Sequence, residues 1–215
     1  FFIYFNYKKK SIFIIKKAGI PGVIGGFAAA IGFIAYVFAM SETTVANVLF
    51  IISTQTIWLA LFGYLFLKEK ISFKTFLSIV LAMTGVLVMI GDSLNVGSLR
   101  GNLIALFVPI NFAFLVLLIR KYSNLDLIPA LFYGGLIITI VAFFKSETIL
   151  ISKHNLLVGF LLGTFQHAFG FICIVIAARS TPAVVVGLLM LTETLLGPFW
   201  VWIFLNEIPP LSVFI

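Results

Sequence analysis

The chain of 215 residues is 62% hydrophobic and only 10% charged, with 25 phenylalanines and a formal net charge of +7. A soluble domain carries about 25% charged and about 45–50% apolar residues, so the polar side chains here cannot cover a water-facing surface, and lipid is the alternative solvent. The basic excess does not point to nucleic acid, because it sits in short loops between apolar runs, and one cysteine (Cys173) with two histidines excludes a disulfide framework and a typical zinc centre.

In lipid every backbone polar group must be satisfied within a helix or a closed barrel. Period-two alternation is absent and the apolar runs are about 20 residues long, the length a helix needs to cross a bilayer. The expected fold is therefore an all-α integral membrane protein, a polytopic helical bundle. In chain order, Phe1–Phe5 reads as the tail of an earlier span and is too short for a signal-peptide core. Seven crossings follow at 19–40, 44–67, 73–91, 101–120, 126–144, 156–178 and 182–205. Ser72 precedes the third, and Gly91-Asp92-Ser93 ends it. Ser180 and Thr181 before Pro182 form a cap followed by a proline at the first helical position. Pro21 and Pro129 lie in first turns, whereas Pro109 and Pro198 lie deep in their runs and are expected to kink them. Leu211–Ile215 reads as the start of a later span.

Lysine and arginine in short loops set orientation. One side holds Lys8, Lys9, Lys10, Lys16, Lys17, Lys68, Lys70, Lys74, Arg120, Lys121 and Arg179; the other holds Arg100, Lys145 and Lys153. The first side is expected to be cytoplasmic, which places the protein in the inner (cytoplasmic) membrane with the 19–40 span running outward.

Shifted against itself by 138 residues, the sequence matches without a gap from 25–77 onto 163–215. Gly25 falls on Gly163, Phe27 on Phe165, Gly32-Phe33-Ile34 on Gly170-Phe171-Ile172, Thr43 on Thr181, Thr54 on Thr192, Thr56 on Thr194, Phe66-Leu67 on Phe204-Leu205 and Glu69 on Glu207. Equivalent positions lie an odd number of crossings apart, so the halves must face opposite ways. The loop Lys68–Lys74 carries three lysines and its equivalent Asn206–Ser212 carries none, in line with that inversion. The expected organisation is two inverted five-helix repeats, 1–91 and 92–215, each incomplete at its outer end, giving ten helices when complete. Inverted repeats with short loops are the build of secondary transporters.

On these residues the chain resembles the EamA-type branch of the drug/metabolite transporter superfamily. Phe165-Gln166-His167-Ala168-Phe169-Gly170 and Ala177-Ala178-Arg179-Ser180-Thr181-Pro182-Ala183 resemble its eighth helix and the turn after it. Leu191-Thr192-Glu193-Thr194-Leu195-Leu196-Gly197-Pro198 and Trp202-Ile203-Phe204-Leu205-Asn206-Glu207 resemble its ninth. Repeat one has the related Ala39–Thr44 turn and Gly63-Tyr64-Leu65-Phe66-Leu67-Lys68-Glu69. Asn206 departs from the family, in which glycine is usual before the closing glutamate. The resemblance implies metabolite export and leaves the substrate open among amino acids, nucleotide sugars, drugs and other small metabolites.

Glu193 is the acidic residue well inside a span. An ionised side chain at that depth costs roughly 2.5–3.5 kcal/mol, so it is expected either to carry a proton or bind a substrate amine, or to be a protonated side chain bonded to a neighbouring helix. Its repeat-one equivalent is Gln55, which cannot titrate. Helical geometry puts Trp200 beneath Glu193 on one face and Phe62 beneath Gln55, with Trp58 flanking. Gln166 and His167 lie at depth beside a stripe of Gly163 and Gly170 that Gly25 and Gly32 repeat, and close helix contact is the primary reading of that stripe. Asn111 and Thr194 are further polar candidates, together with Asn47, Ser53, Thr54, Thr56 and Thr192.

The expected function is a secondary active transporter exporting amino acids or other small metabolites by alternating access about Gln55, Gln166 and Glu193. Protons are the candidate coupling ion, the lipid bilayer and a small-molecule substrate are the partners, and the protein is a monomer or homodimer. No cofactor or metal is implied. A non-transporting sensor or partner subunit is the alternative. An intramembrane enzyme ranks below it, because Gly91-Asp92-Ser93-Leu94 resembles a hydrolase block but lacks partners and there is no HExxH or P-loop. Charged rings of the kind that select ions in channels are also missing.

Overall fold

A computed structural model of the chain describes residues 16–90, 98–146 and 151–205. Phe1–Phe5, Lys8, Lys9, Lys10, Gly91-Asp92-Ser93-Leu94, Asn206, Glu207 and Leu211–Ile215, to which the sequence assigned span ends, loop charge and repeat positions, lie outside the described residues. The described residues are helical, without strands, in the order α1 (Gly19–Glu42), α2 (Val45–Ser53), α3 (Gln55–Leu67), α4 (Phe73–Ile90), α5 (Leu99–Lys121), α6 (Ile128–Lys145), α7 (Lys153–Leu161), a π-helical stretch (Leu162–Phe169), α8 (Gly170–Ala178) and α9 (Ala183–Leu205). Among the described residues five segments are long and apolar enough to cross a membrane: Gly19–Glu42, Asn47–Leu67, Leu99–Lys121, Ile128–Lys145 and Lys153–Ala178. The apolar stretches Phe73–Val88 and Ala183–Thr194 are shorter.

Local chemistry explains most of the boundaries. Thr44 caps α2 by accepting from the Asn47 N–H at 3.3 Å, and Ser152 caps α7 by accepting from the Asn155 N–H at 3.2 Å. The run 44–67, expected as one helix, is interrupted at Thr54. The Ser53 hydroxyl donates to the Phe50 carbonyl at 2.7 Å and the Thr54 hydroxyl to the Ile51 carbonyl at 2.6 Å, while the Thr54 N–H also turns to Ile51. Two successive side chains bonding three residues back compete with the ordinary ladder and break its register. The Thr192 hydroxyl, at the position that the 138-residue shift pairs with Thr54, bonds the same way, to Leu189 at 2.6 Å. By contrast α5 runs helical through Pro109, and α9 through position 198. Neighbouring groups can re-satisfy the backbone that a proline frees within a membrane helix.

The chain divides into two packing units, residues 1–30 with 118–180 and residues 31–117 with 181–215, each drawn from both halves of the sequence. In the first, α1 meets α6 at bare backbone. A Cβ on Gly26 would stand 2.5 Å from the Tyr133 Cβ, 2.8 Å from the Ala130 carbonyl oxygen and 3.0 Å from the Gly134 nitrogen. Such contact between small residues is how helices associate in lipid, where the hydrophobic effect gives them no reason to. α8 also packs on α6. The 153–169 stretch is exposed almost throughout, and Gly163 and Gly170 have open space where a Cβ would be, so the stripe expected from the sequence meets no helix among the described residues.

In the second unit the principal contact is between α3 and α9. These belong to the two spans that the internal repeat pairs. They run antiparallel: Gly187 approaches Thr56, with a would-be Cβ 2.9 Å from the Thr56 Cα, while Gly63 lies beside Ala183 further along. The buried Thr56 hydroxyl donates to the Gly187 carbonyl at 3.1 Å. Behind this pair Ala60, Ile79 and Val184, then Val86 and Leu191, form the apolar core shared with α4. On the other side Ala39, Val48 and Ala105 join α1, α2 and α5.

α3 ends at Lys68 in the left-handed region (φ 55°), from which the chain turns so that the Glu69 N–H returns to the Gly63 carbonyl at 3.0 Å. Lys68 holds that conformation at a steric cost that glycine alone would avoid. The turn delivers the Glu69 carboxylate to the start of α9, where Oε2 accepts from the Ala183 N–H at 2.9 Å, satisfying an otherwise orphan donor at the positive end of the helix. Glu69→Ala is expected to cost about 1–2 kcal/mol and Glu69→Gln much less, because an amide oxygen still accepts. Thermal unfolding of the purified protein in detergent measures both, and equal midpoints for the two variants would remove the capping role.

Candidate functional site

The polar candidates fall into both units. Gln55, Trp58, Asn111, Thr194, Glu193 and Trp200 belong to the second, Gln166 and His167 to the first. In the second unit Gln55 is buried, at 7% exposure, and begins α3 immediately after the break at Thr54. A side chain at a helix discontinuity sits among backbone groups released from the regular ladder, which is where transporters place ligand groups. Glu193 lies on α9 with its side chain exposed. In sequence Gln55 adjoins Thr56, which meets Gly187, and Glu193 lies two residues beyond Leu191, which packs with Val86 and Phe50. Tyr36 on α1, half-buried, lies within electrostatic reach of the Glu193 side chain. Sequence reasoning missed Tyr36, because nothing local links the middle of one apolar run to another more than 150 residues away.

Along each of these helices aromatic side chains contact one another. Trp58 and Phe62 make an edge contact with ring centroids 6.0 Å apart, and Phe62 meets Phe66 at 5.7 Å. Trp200 and Phe204 stack at 6.0 Å on the exposed side of α9. Asn111 turns back into its own helix, donating to the Phe107 carbonyl at 2.8 Å, and its Cβ stands 3.5 Å from where a Gly32 Cβ would be, so it also lines the α1–α5 contact. Thr194 is half-buried.

In the first unit Gln166 and His167 lie within the π-helical stretch, both exposed, and His167 lies against Phe171 with ring centroids 5.1 Å apart. π-helical geometry is rare and concentrates at functional sites, and eight residues of it around two polar side chains in an apolar span mark this stretch as a candidate that periodicity alone did not reveal. At one end of the same unit the Arg179 guanidinium pairs with Asp126 at 2.6 Å, and the same carboxylate oxygen accepts from the Ile128 N–H at 3.1 Å at the start of α6. Among the described residues no cluster of three or more His, Cys, Asp or Glu side chains could hold a metal ion.

Comparison with known proteins fits this picture. Residues 1–91 match the model of the EamA-like transporter family. An uncharacterized transporter of Clostridium kluyveri is 25% identical over 217 residues, covering 90% of this chain and 68% of the relative. An uncharacterized transporter of Methanothermobacter thermautotrophicus is 24% identical over 194 residues, covering 83% of this chain and 54% of the relative. The chain therefore spans about two thirds of one curated relative and about half of the other. A crystal structure of a protein 12% identical superposes with a TM-score of 0.73 over 99% of this chain and 90% of that one, a likeness that speaks for the fold alone. The chain is thus similar over residues 1–91 to the EamA-like transporter family and over most of its length to two uncharacterized transporters, and its described residues form an all-helical fold with segments long and apolar enough to cross a membrane.

Proposed function

We propose that this protein is a secondary active transporter of the inner membrane that exports amino acids or other small metabolites by alternating access, with protons as the coupling ion. The loops around Lys8–Lys17, Lys68–Lys74, Arg120-Lys121 and Arg179 face the cytoplasm, following the distribution of basic residues. The halves 1–91 and 92–215 act as inverted repeats that rock about the crossing of their equivalent spans. The observation that carries the reading is the pair Gln55 and Glu193, equivalent under the 138-residue shift and carried by the two helices α3 and α9 that pack on each other, one a buried amide and the other a carboxyl group midway along its apolar helix. One half then holds the proton while the other only hydrogen-bonds. Gln166 and His167 on the π-helical stretch and the aromatic faces of Trp58 and Trp200 supply further substrate contacts.

The test uses the protein as its gene encodes it, in everted vesicles under a proton gradient with a mixed pool of amino acids and small metabolites. Mass spectrometry is expected to find one chemical class accumulated above vesicles lacking the protein, and a protonophore is expected to abolish the excess. If folded protein moves nothing and another membrane protein co-purifies with it, the sensor or partner-subunit reading replaces this one.

A further inference from the structure

At one end of the first packing unit a pocket of about 250 Å³ is lined by Lys17, Ala18, Asn124, Leu125, Asp126 and Arg179. Its walls come from the start of α1, the turn between α5 and α6, and the end of α8, so it opens where helices leave the apolar layer. Its charge is lopsided. Lys16, Lys17, Arg120, Lys121 and Arg179 cluster at these chain ends, and the opposing carboxylate is that of Asp126. Asp126 is already engaged, accepting from Arg179 and from the Ile128 N–H. It therefore orients the guanidinium more than it fills the pocket.

Arg179 is not satisfied by this pair alone, since its Nε is buried without a hydrogen-bond partner. The guanidinium is a planar fork of five donors suited to phosphate oxygens, and the Lys17 ammonium, exposed on the same pocket, offers a second positive charge. α6 begins beside Asp126, so the positive end of a helix points to the same region. Two cations, an amide side chain and a helix start around a cavity of this size are the elements of a site for one phosphate group. Basic pockets between helices at the membrane surface take lipid headgroups for this reason.

We propose that this pocket binds a phosphate-bearing anion at the membrane surface, held between Lys17 and Arg179 with Asp126 as the brace that fixes the arginine. The pocket shares no residue with the Gln55 and Glu193 candidates, and its occupation needs no transport. The phosphate comes from an anionic phospholipid headgroup or from free phosphate, and the two sources are separable.

The protein is placed in nanodiscs of phosphatidylcholine with or without phosphatidylglycerol, and the lipid retained after delipidation is counted by native mass spectrometry. Selective retention of phosphatidylglycerol, reduced about fivefold in Lys17→Gln, the size expected of one basic residue at an anionic surface, and restored in Lys17→Arg, assigns a lipid headgroup. In phosphatidylcholine discs, stabilisation by inorganic phosphate over chloride at equal ionic strength, lost in Lys17→Gln, assigns free phosphate. Lys17 is exposed and outside the Asp126 ion pair, so its variants keep the fold. If phosphatidylglycerol and phosphate act equally on wild type and Lys17→Gln, or on neither, the site does not exist.

Discussion

Replacing Glu193 by glutamine is expected to bring proton-driven accumulation down to the level of vesicles lacking the protein, while substrate counterflow continues. The substitution is nearly isosteric and keeps a hydrogen-bonding group, so it removes the ability to take up and release a proton with little else. The repeat supplies an internal precedent, because Gln55 already occupies the equivalent place beside the α3–α9 crossing. An ionised carboxylate at membrane depth is disfavoured by roughly 2.5–3.5 kcal/mol, a cost that selection tolerates where the charge state does something. Exchange of labelled for unlabelled substrate needs no net proton movement, so it separates a coupling defect from a binding or folding defect. Glu193→Asp, which retains titration, is expected to keep part of the gradient-driven flux. Should Glu193→Gln accumulate substrate as wild type does, with the same dependence on the gradient, the carboxyl group has a packing role and the coupling site lies elsewhere. Loss of accumulation and counterflow together, in a variant that unfolds at the wild-type midpoint, would instead place Glu193 in substrate binding.

The spans were legible because the signal for them is local. Twenty apolar residues between charged loops leave a chain few choices in lipid, and a cap such as Ser72, which accepts from the Thr75 N–H, announces a helix start within three residues. The interruptions were harder to read. Proline at 109 and 198 was expected to kink its helix; both helices continue there, and an interruption falls at Thr54, where two hydroxyls in succession bond carbonyls three residues back. Either arrangement suits isolated sequence, and tertiary packing selects between them. Partners far apart in the chain were illegible for the same reason. The Asp126–Arg179 pair spans 53 residues and the Glu69–Ala183 cap spans 114, and no periodicity encodes such distances. The candidate polar residues themselves were found by asking which side chains lipid would reject. How they are distributed between two packing units depends on helix azimuths that composition does not specify.

Glycine azimuth gives the second large effect. Gly26→Val is expected to destabilise the protein by about 3 kcal/mol, the upper end of the usual range for overpacking, while Gly135→Ala leaves stability unchanged or raises it. The sequence offers Gly25 and Gly26 side by side, with Gly25 on the stripe it shares with Gly32, and Gly134 beside Gly135 with nothing to say which faces a neighbour. In the structure a Cβ on Gly26 meets the Ala130 carbonyl oxygen at 2.8 Å and the Gly134 nitrogen at 3.0 Å, both main-chain atoms held in the α6 ladder. A flexible side chain can turn aside from such a clash, but a helix backbone can yield only by moving the whole helix, and α6 is further held by α8 and by the Asp126 bond to Ile128. Gly135 has open space at the same distance, so alanine there meets nothing and recovers the helix propensity that glycine lacks, about 0.8–1.0 kcal/mol in a helix interior. Thermal unfolding in detergent, followed by circular dichroism, compares the two. A fall in midpoint for both variants would mean that any glycine in these helices matters. A fall for neither would mean that α1 and α6 do not meet at Gly26, and the lipid-buried contact that defines the first packing unit would have to be drawn elsewhere.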